Sequence, residues 1–255
     1  MKSLPQNPIL RVAMWSGPRN ISTALMRAWG NRVDTVVVDE PLYASYLAIT
    51  GKNHPMAREV IATGETDWRK VVARLTTDVP SPPTQDAAGI RVFYQKQMAH
   101  HLVPEIERGW IASLTNCFLI RDPAEVIDSY IKKNPEPTVE DLGFSQQAEV
   151  FGMVRERSGI TPPVIDARDV LQDPAQILRL LCTRLEVEFD PAMLMWAPGL
   201  RETDGVWAKH WYGEVARSTG FEPYRHRRAK VPAPLRDLEM QCRRSYDLLH
   251  RHRLH

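Results

Sequence analysis

The chain has 255 residues, 43% of them apolar and 25% charged, which excludes a disordered segment and allows one large domain or two small ones. A formal charge of +2 is too small to point to nucleic acid, and no apolar run approaches the roughly 20 residues of a membrane span. Three widely spaced cysteines (Cys117, Cys182, Cys242) form no CxxC pair; they fit a reducing cytoplasm and argue against a disulfide framework or a zinc site.

Met1 to Arg11 lacks the apolar core of a signal peptide. Ile9 to Trp15 is a short β-prone run, closed by the turn signal Ser16-Gly17-Pro18. Ile21, Leu25 and Ala28 then fall at helical spacing, predicting a helix that opens near Asn20–Ser22. Thr35 to Val38 is a β-branched run suited to a fully buried strand, and Asp39-Glu40-Pro41 stops it. Pro80 to Pro83 marks a loop. Arg91 to Tyr94 reads as a third strand, followed by a helix-compatible Gln95 to Leu102. Asn116 to Ile120 is a fourth strand, with a helix over Val126 to Lys133 after Asp122-Pro123. Pro163 to Asp166 is a fifth, followed by a helical stripe of Leu178, Leu181 and Leu185 after Asp173-Pro174. Pro234 to His252 reads as a closing helix with Leu235, Leu238, Tyr246 and Leu249 inward.

Strands alternating with helices predict an α/β fold: three layers, α/β/α, around a mainly parallel sheet. No linker divides the chain, so residues 1–255 read as a single domain. Trp196 to Arg228 is weakly periodic and rich in Gly, Trp and Arg, the character of a functional loop. From Arg217 onward ten Lys/Arg face four Asp/Glu, a net of +6 that leaves the first 216 residues at −4. This basic tail is either a solvated helix or a rim that attracts an anion.

Two constellations can do chemistry. In the first, a strand leads through Ser16-Gly17-Pro18-Arg19-Asn20-Ile21-Ser22-Thr23 into a helix. A helix opening after a tight turn presents free N–H groups to an anion; Arg19 adds a permanent charge, Ser22 and Thr23 add hydroxyls. The Gly-Lys-[Ser/Thr] of a Walker A loop is absent. In the second, Arg121 stands at a strand end in Arg121-Asp122-Pro123, with Ser129 eight residues on, so that two donors can converge on one phosphate at the C-terminal edge of the sheet.

Together these resemble the sulfotransferases that use 3′-phosphoadenosine 5′-phosphosulfate (PAPS), on a P-loop-like fold. Arg19 to Thr23 is similar to the family's 5′-phosphosulfate loop, and Arg121-Asp122-Pro123 with Ser129 to its 3′-phosphate motif. Ile165 to Pro174, and Glu188-Phe189 after the leucine helix, resemble later family segments. Ile21 stands where the family usually has Gly, and Ala24 where many members have an adenine-stacking Trp; Trp207 is the candidate to replace that stack. The resemblance implies transfer of a sulfuryl group from PAPS to a hydroxyl or amine of a small molecule or glycan, with PAP as product. No metal is required, because side chains carry the positive charge. Gly17, Arg19, Asn20, Ile21, Ser22, Thr23, Arg121, Ser129 and Trp207 would hold the nucleotide.

Two residues compete as general base: Glu40, after the second strand, and His100. Lys96 and His100, at i and i+4, would share a helix face, with Lys96 stabilising charge. Acceptor pockets in this fold are built from variable loops, expected here at Tyr43 to Pro55, Asn134 to Phe144 and Trp196 to Phe221. Two other readings stay open. One is a P-loop phosphotransferase or hydrolase using ATP and Mg²⁺, with Val36 to Glu40 as a Walker B strand and Ser22 on the metal. The other is a nucleotide-binding protein without catalysis. Neither acceptor identity nor assembly into a homo-oligomer is legible.

Overall fold

The computed structural model describes residues 9–78, 89–226 and 229–255. The loop expected at Pro80–Pro83 and the stretch 1–8 lie outside the described residues. Five parallel strands form one sheet: β1 (Leu10–Ser16), β2 (Thr35–Asp39), β3 (Val92–Met98), β4 (Thr115–Ile120) and β5 (Val164–Asp166), in the order β2-β3-β1-β4-β5. Alternate residues of β1 serve two cores, as the two-residue period of a strand requires. Ala13 and Trp15 join Phe93, Phe118 and Phe151 on one side; Val12 and Met14 join Leu25, Trp29 and Leu178 on the other. Burial on both faces explains why these strands read as continuous apolar runs.

Helix α1 (Ser22–Gly30) links β1 to β2. Helices α2 (Tyr43–Thr50), α3 (Ala57–Thr63) and α4 (Trp68–Thr77) precede β3. Helices α5 (Pro123–Tyr130), α6 (Val139–Leu142) and α7 (Phe144–Ser158) lie between β4 and β5, and α8 (Ala167–Gln172) and α9 (Pro174–Arg184) follow β5. A short α10 (Ala208–Trp211) and a terminal α11 (Arg236–His250) complete the chain. No described helix is long and apolar enough to cross a membrane.

Three expectations need correction. Gln95 to Met98 is not helical: β3 runs through Met98, and only a 3-10 turn, Ala99–His101, follows. The polar residues there suggested a helix because their partners are remote in sequence. Gln95 Nε2 donates to the Leu75 carbonyl at 2.9 Å, and Gln97 Nε2 to Gln95 Oε1 at 3.2 Å, so a fully buried strand tolerates them. Tyr43 to Pro55 is not simply a loop, since α2 occupies its first eight residues. The basic tail is neither wholly a solvated helix nor wholly a rim: Ser218, Gly220, Phe221 and Glu222 line the cleft described below, whereas the terminal helix does not. That helix buries Leu238, Cys242, Tyr246 and Leu249 and spends Arg243 on Asp122 at 2.7 and 2.8 Å.

Candidate active site

The C-terminal ends of β1 to β4 open onto one cleft of about 350 Å³, the edge at which parallel sheets bind ligands. One wall is the loop between β1 and α1. Four helices carry an aspartate at their N-cap: Asp67, Asp122, Asp166 and Asp173 each accept an amide of the first turn, an arrangement that contributes about 0.5–2 kcal/mol. Helix α1 differs. Its N-cap is Ile21, with no side-chain cap, and Ser22, Thr23 and Ala24 line the cleft. Its first-turn amides are therefore left for an anion.

Arg19 adopts φ +55°, a left-handed conformation unusual for a non-glycine residue and concentrated at ligand sites. Its Nε donates to Ser129 Oγ at 2.9 Å, while Arg121 Nη1 donates to the Arg19 carbonyl at 2.8 Å. Two motifs about a hundred residues apart thus meet at one loop residue. Arg121 Nε is bound by Glu125 Oε2 at 3.0 Å, and Glu125 Oε1 accepts the Tyr224 hydroxyl at 2.8 Å. Asn20 is a fastener: its Nδ2 donates to the Leu119 carbonyl at 3.2 Å and its Oδ1 accepts the Ile21 amide at 2.9 Å. Gly17 is outside the cleft lining; a Cβ there would lie 2.6 Å from the Leu142 carbonyl oxygen, so its role in this loop is close packing.

The other wall centres on Glu40, also left-handed at φ +41° and fixed by its amide bond to the Lys96 carbonyl at 3.1 Å. Strand register sets Asp39 beside Lys96. The buried Lys96 ammonium donates to Asp39 Oδ1 at 2.9 Å, to Glu40 Oε1 at 2.8 Å and to the Tyr212 hydroxyl. Tyr212 donates to Asp39 Oδ2 at 2.7 Å and accepts Trp207 Nε1 at 3.2 Å. Burial works against the charge on Lys96, but the Asp39 and Glu40 carboxylates outweigh it and hold its pKa well above the ordinary lysine value. Burial raises Asp39, only partly offset by Lys96.

His100 and His101 close the floor. Both are held well below the usual histidine pKa, chiefly by burial, and are neutral near pH 7. The His101 ring stacks on Tyr43 at 4.9 Å and on Tyr46 at 4.8 Å, and its Nε2 is 3.9 Å from Glu40 Oε2. Because Lys96 is on a strand and His100 in the following 3-10 turn, the two do not share a helix face. Trp207 is nearly buried and packs edge-on to Tyr43 with ring centroids 5.1 Å apart, so it walls the Glu40 end of the cleft. Gly205 permits this: any Cβ there would overlap the Trp207 ring.

The sequence reading missed Tyr43, His101, Tyr212 and the buried pair Arg27–Asp204, which is bidentate at 2.6 and 2.6 Å. From sequence, Asp39 reads as a strand stop and as part of the Walker B alternative, not as a partner of Lys96. Asp39 beside Glu40 was the one available signal; the partners on the 201–212 segment are about 170 residues away and carry none.

A sulfotransferase domain model matches residues 10–242. Two Arabidopsis thaliana proteins, named branched-chain-amino-acid aminotransferase-like proteins 1 and 2, are 36% and 33% identical over 242 and 241 residues. Those matches cover 94% of this chain but 42% and 41% of the relatives, so the chain spans less than half their length. Among solved structures, the sulfotransferase domain from the curacin biosynthetic pathway has a TM-score of 0.54 at 17% identity, covering 96% of this chain and 98% of that one. The sulfotransferase domain from the Synechococcus PCC 7002 olefin synthase gives 0.52 at 16%, covering 97% and 98%. At such identities these two structures establish the fold. With the family match spanning nearly its whole length, the chain belongs to the sulfotransferase-domain family.

Proposed function

We propose that this chain transfers a sulfuryl group from PAPS to a hydroxyl or amine of a small molecule or glycan and releases PAP. The observation that carries the reading is the convergence of Arg121 and Ser129 on Arg19, beside an uncapped helix N-terminus, across one cleft from Glu40. Among the described residues Arg19 spends only Nε, and Arg121 spends Nε and Nη1. Their remaining N–H groups suit phosphate and sulfate oxygens, each ionic hydrogen bond contributing on the order of 1.5–3 kcal/mol. Arg19, Ser22, Thr23 and the first-turn amides would hold the 5′-phosphosulfate, and Arg121 with Ser129 the 3′-phosphate.

Glu40 is the favoured base. Lys96 holds its Oε1, while Oε2 has no hydrogen-bond partner among the described residues and the side chain lines the cleft. As the acceptor oxygen bonds to sulfur, Glu40 Oε2 takes its proton. The bond from sulfur to the 5′-phosphate oxygen breaks, and its electron pair leaves with PAP. Arg19 and the α1 amides face the charge that develops on the sulfuryl and leaving oxygens. Asp39 is poorly placed to serve a Walker B metal, because both its oxygens are committed to Lys96, Tyr212 and the Gly205 amide. The test is PAPS consumption against a panel of alcohols and amines, in the parent and in Glu40→Gln and His100→Ala. Loss of turnover in Glu40→Gln alone is the expected result; wild-type turnover in both variants removes both candidates.

A further inference from the structure

We propose that Tyr212 and Asp39 are positioning residues for the transfer reaction, holding the Lys96 ammonium where it fixes Glu40. The proposal rests on the reading of Glu40 as base, and concerns how that base is built.

The argument is a donor and acceptor count. An ammonium has three N–H groups. Those of Lys96 go to Asp39 Oδ1, Glu40 Oε1 and the Tyr212 hydroxyl. None is left for a sulfuryl or leaving oxygen, so the side chain expected from sequence to stabilise transferred charge is occupied in holding the site together. Tyr212 has one hydroxyl hydrogen and gives it to Asp39; its oxygen accepts Lys96 and the Trp207 indole. Asp39 Oδ2 also accepts the Gly205 amide at 3.2 Å. Every polar atom of Lys96, Asp39 and Tyr212 is engaged. Glu40 is the exception, with Oε2 turned to the cleft.

Charge leads to the same assignment. Lys96 faces two carboxylates, and Asp39 is the fully buried one. Asp39 is therefore the buried partner of the ammonium, while Glu40 uses it as an anchor for Oε1 and presents Oε2 to the acceptor's proton. Tyr212, Trp207 and Gly205 all belong to the segment that the Arg27–Asp204 pair docks onto α1. Docking of that segment completes the base, roughly 170 residues distant in sequence.

The test uses the full chain with 15Nζ-labelled lysine. Ammonium groups in contact with water exchange protons too fast to be seen, whereas Lys96 is buried and triply bonded. In the wild-type protein Lys96 gives a protected ammonium resonance at pH 7; in Tyr212→Phe it shifts and its exchange accelerates. Sulfate release from PAPS, with water as acceptor, falls roughly tenfold or more in Tyr212→Phe and in Asp39→Asn, while affinity for 3′,5′-ADP stays within about twofold. An unchanged Lys96 resonance in Tyr212→Phe overturns the proposal, as does a loss of turnover matched by an equal loss of nucleotide affinity. Wild-type turnover in Glu40→Gln would instead remove the base reading. Inactive Glu40→Gln beside fully active Tyr212→Phe would keep the base and reject its positioning.

Discussion

Replacing Asp204 with alanine strands the Arg27 guanidinium. The pair is bidentate at 2.6 and 2.6 Å, with side chains 1% and 2% exposed, and Arg27 Nε has no partner among the described residues. Breaking such a buried pair by deleting one member costs about 3–5 kcal/mol, because the survivor keeps a desolvated charge. Asp204 also accepts the Arg201 amide at 2.8 Å, so the change frees a turn as well. At about 2–4 °C per kcal/mol for a chain of this size, Asp204→Ala lowers the Tm by roughly 6–20 °C. Calorimetric or circular-dichroism melting measures this, with urea unfolding as a check on the free energy. The double change Arg27→Met, Asp204→Leu removes both charges and restores most of the loss, since apolar replacement of a buried pair is often neutral. A loss under about 1 kcal/mol in Asp204→Ala, or a double variant no better than the single, would refute the view that this pair docks the segment.

Other predictions follow from the same chemistry. Glu40→Gln abolishes acceptor-dependent PAPS consumption while leaving nucleotide affinity within about twofold, read by turnover and calorimetry. Because burial depresses the His100 and His101 pKa values, their ring resonances do not titrate between pH 8 and 6. The unfolded chain takes up those protons near pH 6.5 and the folded one refuses them, so their contribution to stability is present above that pH and declines below it; urea unfolding at pH 7.5 and 5.5 measures the difference. Cys117, Cys182 and Cys242 are buried, with burial raising the Cys182 thiol to about 11 and the Cys242 thiol to about 12. The folded protein therefore resists an aromatic disulfide reagent at pH 8, and labelling of all three appears only in denaturant.

Patterning carried the fold where residues pack against neighbours of their own kind. β1, β2 and β4 are apolar runs between turn signals, and α5 and α9 start at Asp-Pro pairs that became an N-cap and first helical residue. It failed at the polar half of β3. Lys96 and Gln95 satisfy their polar atoms on Asp39, Glu40, Tyr212 and the Leu75 carbonyl, none of which is a sequence neighbour. The residues proposed to hold the nucleotide stood out as candidates because each motif is local: a strand, a turn and the start of a helix. That Arg121 would grip the loop through the Arg19 carbonyl was not, since it is a contact across 102 positions. The Glu40 wall was half legible. Glu40 follows a strand recognisable by composition, but its setting comes from a segment whose weak periodicity marked it only as functional.

The central claim is that Arg121, Ser129 and the Arg19 loop form a site for a 3′-phosphorylated nucleotide. Calorimetric titration with 3′,5′-ADP and with 5′-ADP, both without metal, tests it directly, repeated on Arg121→Ala. The account predicts selective binding of 3′,5′-ADP, weakened roughly tenfold to a hundredfold in the variant, as loss of ionic hydrogen bonds of about 1.5–3 kcal/mol requires. Equal affinity for the two nucleotides, or binding that ignores Arg121, would contradict it.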